Sequence, residues 1–112
     1  RIINSGKLRA RQTAEILAAS IAPNLTVEDV ADGLRPNDPT DWLAGTLARW
    51  TGDTVCVGHL PFMGRMVSRL VTGSDDSPIV SFVPGTAVCL ARGEDGESWT
   101  IAWMITPDLL RP

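Results

Sequence analysis

The spacing of apolar residues along the chain predicts three amphipathic helices. Apolar side chains recur at helical intervals over residues 7–21, 38–50 and 60–72. In the first run we expect Ser5 to cap the helix, because its hydroxyl can accept a hydrogen bond from an amide of the first turn. In the second run we expect Asp38 and Pro39 to provide the cap and the first helical residue.

Short runs between these helices predict strands. Residues 1–5 resemble the tail of a strand, and residues 25–30 alternate weakly, as a short edge strand or an extended segment does. Residues 54–58 contain no charged side chain, which predicts a central strand covered on both faces. Residues 86–91 and 98–105 flank a glycine-rich turn and predict a hairpin. The order of elements predicts an α/β fold: a layered sheet with a parallel centre, an antiparallel C-terminal hairpin and helices on both faces.

Length, composition and charge limit the class of protein. At 112 residues, with 44% apolar and 21% charged positions, the chain is expected to form one ordered domain over residues 1–112. A formal net charge of -3 gives no basic surface for nucleic acid, and the apolar runs are shorter than the roughly 20 residues that cross a bilayer. Cys56 and Cys89 lie in strand-like runs and fit small buried hydrophobes in a reducing cytoplasm. We therefore expect a cytoplasmic protein without nucleic-acid or membrane partners.

His59 is the only histidine in the sequence, and it directly follows the strand predicted over residues 54–58. Open α/β sheets bind their ligands at the carboxyl ends of the strands, so His59 is a candidate for binding an oxyanion or for moving a proton near neutral pH. The alternative is that His59 caps the following helix or fills a polar gap. A metal site is not predicted, because carboxylates and thiolates at ligand spacing do not accompany this histidine.

Arg9 is the second candidate, because it lies about one helical turn beyond Ser5, where backbone amides favour an anion. Arg11 is expected to project to another side of the same helix. The alternative is that Lys7, Arg9 and Arg11 form a solvated helix face. Ser5 is expected to act first as a cap and only weakly as a phosphate ligand, and Thr86, in a proline-glycine loop, is a second weak candidate for phosphate binding.

Five short blocks resemble those of a known family. Residues 5–14 read S-G-K-L-R-A-R-Q-T-A and resemble the S-x-x-x-R-A-x-x-T block of the histidine phosphatase superfamily, in particular its small SixA-type phosphohistidine phosphatases. Val57-Gly58-His59-Leu60-Pro61 resembles the second histidine block of that family. The remaining blocks follow in the expected order: Leu34-Arg35-Pro36, Pro84-Gly85-Thr86-Ala87 and Trp103-Met104-Ile105-Thr106-Pro107.

The resemblance implies an enzyme that needs no metal and no cofactor. In that family one histidine attacks phosphorus, becomes phosphorylated and is then hydrolysed, while arginines and a second histidine hold the phosphate oxygens. Arg9 matches the phosphate-binding arginine and His59 the second histidine of the pocket, so both are expected in the catalytic machinery. The expected partner is phosphate or a phosphorylated histidine on a signalling protein in the cytoplasm.

The sequence departs from the family in one respect. The Arg-His-Gly block that carries the nucleophilic histidine on the first strand has no counterpart among the 112 residues. We therefore expect a phosphatase domain without its first strand and helix, inactive as it stands if the nucleophile is truly absent. Glu28 and Asp32 are candidates for a general acid, and the sequence does not choose between them. The alternatives are a non-catalytic relative that binds phosphate or a phosphoprotein, and a structural interaction module.

Overall fold

A computed structural model describes residues 1–110, which group into two compact units, residues 1–62 and residues 63 onward. The single-domain organisation expected from the sequence stays a prediction. No helix of the described residues is long and apolar enough to cross a bilayer. The elements in chain order are β1 (Ile2–Asn4), α1 (Leu8–Ile21), β2 (Val27–Asp29), α2 (Asp41–Arg49), β3 (Val55–Val57), α3 (Phe62–Thr72), β4 (Ala87–Arg92), β5 (Trp99–Ile105) and a 3₁₀ helix (Pro107–Leu110).

The first unit is built on a parallel three-stranded sheet with the order β2-β1-β3. β1 lies in the centre, where Ile3 is aligned with Glu28 of β2 and Cys56 of β3. All three residues of β1 are buried. Ile2 belongs to a core cluster with Ala14 of α1, and valines of β2 and β3 pack against this cluster. The central strand of the sheet is therefore the strand that leads into α1.

α1 buries its small side chains rather than its large ones. The buried residues are Ala10, Ala14 and Ala18, spaced four apart on one face of the helix. Leu8 and Ile16, which contribute to the apolar spacing in the sequence, are 70% and 67% exposed. Alanines allow the helix backbone to lie close to the sheet, and this close packing holds the N-terminus of α1 next to the end of β1.

The second unit contains most of α3 and an antiparallel hairpin. β4 and β5 pair from Ala87 with Ile105 to Arg92 with Trp99, and the register shifts between Cys89 and Leu90. The turn before β4 requires glycine at position 85, where φ is +87° and a Cβ atom would lie 2.9 Å from a ring carbon of Pro107. This close approach holds the end of the 83–86 turn against the start of the 3₁₀ helix.

The fold class predicted from the sequence is confirmed: a parallel sheet, an antiparallel C-terminal hairpin and three helices follow one another in the expected order. β2 is an edge strand of the first sheet, as predicted. β3, which was expected in a central position, is the other edge of this sheet among the described residues. The absence of charged residues from a strand indicates that its surroundings disfavour charge. It does not indicate how many strands pair with it.

The start of α2 also differs from the prediction. Asp38 and Pro39 were expected to begin this helix, but α2 begins at Asp41, after Thr40. The Asp38 carboxylate instead accepts the amides of Gly33 and Arg35 at 2.8 Å and 3.0 Å. Oδ2 of Asp38 thus closes the turn that precedes α2.

Candidate anion-binding site

Ser5 and His59 meet where two neighbouring strands end. β1 and β3 run parallel with Asn4 aligned with Val57, so the residues that follow them leave the sheet at the same edge. Ser5 Oγ and His59 Nε2 lie 2.6 Å apart. Ser5 is buried and His59 is half-buried. The hydroxyl donates when Nε2 is unprotonated and accepts when Nε2 carries the proton, so the pair can adjust to either state of the imidazole.

Ser5 does not cap α1, and this sequence prediction is wrong. The residue at the cap position is Lys7, which makes no side-chain capping hydrogen bond. The Ser5 hydroxyl is in contact with His59, and the amide of Lys7 donates to Oγ of Ser5 only at 3.4 Å. The first turn of α1 contains no acidic residue. The N-terminus of α1 thus has neither a side-chain cap from its own cap residue nor an acidic residue in its first turn, which favours binding of an external anion.

The pKa of His59 lies below its ordinary value of 6.5, because burial disfavours the charged ring and because the Lys7 ammonium repels it. The neutral form of the imidazole therefore predominates at pH 7. The sequence pattern indicated only that Lys7 lies on a solvated helix face. Its position two residues after Ser5, at the start of the helix, was the signal that could have assigned it to the site.

Replacing Lys7 with Met is expected to raise the pKa of His59 towards 6.5. The substitution removes the repelling charge and keeps an unbranched side chain of similar length. A pH titration of the His59 ring signals by NMR measures this pKa directly. Arg11→Met is the matched control. It removes a positive charge from α1, but the Arg11 guanidinium contacts Glu15 and Asp29.

The same shift affects stability. The unfolded chain takes up a proton at His59 as the pH falls through 6.5, while the folded chain takes it up only at lower pH, so the free energy of unfolding decreases as the pH falls below this value. In Lys7→Met this loss should be smaller. An unchanged His59 titration in Lys7→Met, or an equal rise in Arg11→Met, would show that Lys7 does not act on the site.

The two arginines of α1 have different surroundings. Arg11 pairs with Glu15 at 3.2 Å and with Asp29 at 3.4 Å. Arg9 is exposed, and within residues 1–110 its guanidinium makes no hydrogen bond or ion pair, including none with His59. Arg9 can therefore bind a ligand without first breaking an ion pair. Its role in phosphate binding stays a prediction.

The remaining candidates have contacts of their own. Thr86 lies in the turn before β4, where its hydroxyl accepts the amide of Val83 at 3.4 Å. The Asp32 carboxylate lies 2.9 Å from a guanidinium nitrogen of Arg35. Glu28 lies in β2, where its backbone carbonyl accepts from Asn4. Phosphate binding by Thr86 stays a prediction, and neither acidic residue is assigned as the general acid.

These features define an α/β protein with a candidate oxyanion site at the carboxyl ends of parallel strands. Among solved structures, the chain is similar to the protein histidine phosphatase SixA, whose structure was determined in complex with tungstate. The TM-score is 0.83 at 24% sequence identity, over 99% of this chain and 70% of that chain. The chain thus has the fold of a SixA-type histidine phosphatase, as the resemblance implied. No family model and no curated protein matches the sequence.

Proposed function

We propose that the first unit binds phosphate through Ser5, Lys7, Arg9 and His59, and that this site is part of the pocket of a phosphohistidine phosphatase. The contact of 2.6 Å between Ser5 and His59 carries the proposal, because it joins two strand ends beside an uncapped helix N-terminus. Tungstate is a tetrahedral oxyanion like phosphate, and its presence in the SixA structure supports an oxyanion as the ligand of this fold.

Each residue of the site has a distinct part in the proposed binding. The Arg9 guanidinium holds two phosphate oxygens in a fixed fork. Lys7 adds a point charge at the start of α1. His59 is neutral without a ligand, and a bound dianion raises its pKa, so phosphate binding favours the protonated ring that donates to an oxygen. Ser5 Oγ then accepts from the protonated Nε2 and can donate its own proton to the anion.

The proposed reaction follows the family. A nucleophilic histidine attacks phosphorus in line, the bond from phosphorus to the substrate imidazole breaks, and the substrate nitrogen takes up a proton. Water then attacks the phosphohistidine and releases inorganic phosphate. His59 acts from the side by stabilising charge on the oxygens, so it is not the nucleophile. The sequence contains one histidine, so the proposal assigns the nucleophile to none of the 112 residues.

The single histidine also favours a second candidate function, a non-catalytic protein that binds phosphate or a phosphoprotein. A phosphohistidine peptide distinguishes the two when it is incubated with the protein isolated from its natural source and with the 112-residue chain. Phosphate release by the natural protein but not by the 112-residue chain supports the enzyme. Binding without release by either protein supports the alternative, and release by the 112-residue chain would contradict the role given to His59.

Phosphate binding is tested by comparing Arg9→Ala with Arg11→Ala. We expect Arg9→Ala to weaken binding of inorganic phosphate roughly tenfold, since it removes a charged hydrogen-bond donor. Arg11→Ala removes the same charge from the same helix, but this guanidinium is paired with carboxylates of Glu15 and Asp29. Its effect should be small. Titration calorimetry with phosphate, and with tungstate as a second probe, measures both affinities.

Two results would contradict the proposal. If the unsubstituted chain binds neither anion at millimolar concentration, the site is not a phosphate site. If Arg9→Ala and Arg11→Ala weaken binding equally, Arg9 belongs to a solvated helix face and acts only through the net charge of the chain.

A further inference from the structure

Asn4, the last residue of β1, is polar but is fully buried, like the two isoleucines that precede it in the strand. Both the nitrogen and the oxygen of its side-chain amide form hydrogen bonds. Nδ2 donates to the carbonyl oxygen of Glu28 at 3.0 Å and to Oδ1 of Asp29 at 3.1 Å, and Oδ1 accepts the amide of Gly6 at 2.7 Å. Loss of any of these bonds would leave a polar atom unsatisfied in a buried position, so each bond constrains where its partner lies.

β2 fixes the orientation of this side chain. The carbonyl oxygen of Glu28 and Oδ1 of Asp29 both face Nδ2, so a half-turn of the Asn4 amide would bring Oδ1 against them. In that orientation the Gly6 amide would face a second donor. Oδ1 must therefore point at Gly6, where the chain turns with φ at +81°. Through Asn4, β2 determines the path of the chain around Ser5.

The turn held by Asn4 carries the groups of the anion site. Ser5 follows Asn4 directly and contacts His59 at 2.6 Å, and α1 begins at Leu8. Hydrogen bonds between heavy atoms span a range of only about 0.5 Å, so a small shift of this turn would break the contact between Ser5 and His59. Such a shift would also move the N-terminus of α1 relative to the imidazole.

We propose that Asn4 is a positioning residue of the anion site. It acts through Gly6 and Ser5, holding residues 5–7 so that the Ser5 hydroxyl and the N-terminus of α1 face the same anion as His59. The inference rests on the proposed function, because it concerns the same site.

Three variants test this role. Asn4→Ala removes both halves of the amide, whereas Asn4→Ser keeps an oxygen that can accept the amide two residues along the chain. Leu43→Ala is the control, because Leu43 is buried in α2 and its loss destabilises the fold without touching the turn. For each variant, phosphate affinity is measured by calorimetry well below the unfolding transition. The Gly6 amide and the His59 ring are followed by NMR in the absence of phosphate.

We expect Asn4→Ala to bind phosphate roughly tenfold more weakly, Asn4→Ser to recover part of this loss, and Leu43→Ala to bind as the unsubstituted chain does. The Gly6 amide and the His59 ring signals should move in Asn4→Ala and stay in place in Leu43→Ala. If Asn4→Ala does not fold, Asn4→Ser carries the test through the same signals.

The possible failures are separable. Unchanged His59 signals and unchanged phosphate affinity in a folded Asn4 variant overturn the positioning role and leave the proposed function standing. Absence of phosphate binding by the unsubstituted chain overturns the proposed function, and the positioning role at an anion site is then overturned with it. An equal loss of affinity in Leu43→Ala would show that Asn4 contributes only to stability.

Discussion

Replacing Ile3 with Ala is expected to lower the free energy of unfolding by about 2–5 kcal/mol, the usual range for truncating a large aliphatic side chain in a core. Ile3 is fully buried in the central strand of the first sheet, between β2 and β3. Truncation leaves a cavity where the strands on both sides limit relaxation. Urea unfolding followed by circular dichroism and by tryptophan fluorescence measures the change.

Ile16→Ala is the matched control for this prediction. It deletes the same atoms, but Ile16 is 67% exposed on α1, so the change should stay within about 0.5 kcal/mol. Ile3→Val, which removes one methylene group, is expected to cost about 0.5–1.5 kcal/mol. Equal losses of unfolding free energy in Ile3→Ala and Ile16→Ala would show that Ile3 does not lie in the core of the first unit.

Replacing His59 with Ala is expected to weaken phosphate binding by at least about 1.5 kcal/mol, or roughly tenfold. The substitution removes a donor to the anion and also the partner of the Ser5 hydroxyl at 2.6 Å. Ser5 is buried, so its hydroxyl must then find another partner or stay unsatisfied. Calorimetric titration with phosphate, with unfolding measured on the same samples, separates binding from stability.

His59→Gln is the conservative comparison, because its amide can still donate to an oxygen but does not become charged near neutral pH. We expect its affinity to lie between those of the unsubstituted chain and His59→Ala. Unchanged affinity in a well-folded His59→Ala would make His59 a structural residue that fills a polar gap. That outcome would also contradict the proposed site, because the proposal depends on the contact between Ser5 and His59.

The helices and the hairpin could be predicted from the sequence, because each depends on the pattern of neighbouring residues. The runs over residues 7–21 and 60–72 correspond to α1 and α3, and the hairpin follows its glycine-rich turn. Side-chain burial was less predictable. The spacing of Leu8 and Ile16 indicated a helix, but the sheet receives the alanine face of that helix instead. Spacing identifies a helix, whereas the distance available to the neighbouring sheet selects which face is buried.

The candidate site was predicted in part. His59 and Arg9, which follow two strand-like runs, were the residues expected to share one anion site, and Ser5 was expected mainly as a helix cap. The structure brings Ser5 into contact with His59. Neither the effect of Lys7 on His59 nor the hydrogen bonds of Asn4 were predicted from the sequence. The role of Asn4 depends on β2, which lies more than twenty residues along the chain, and local propensity contains no information about that pairing.

The contact between Ser5 and His59 joins residues 54 positions apart. α1 can form from neighbouring residues, but the pairing of β1 with β3 first requires closure of a long loop, whose entropy cost precedes any gain from the contact. Bringing the two halves of the site together therefore carries a larger loop-closure cost than forming the contacts within α1. A ligand that touches both halves binds only the fully assembled first unit, so its binding energy adds to the stability of that state and of no partly folded precursor.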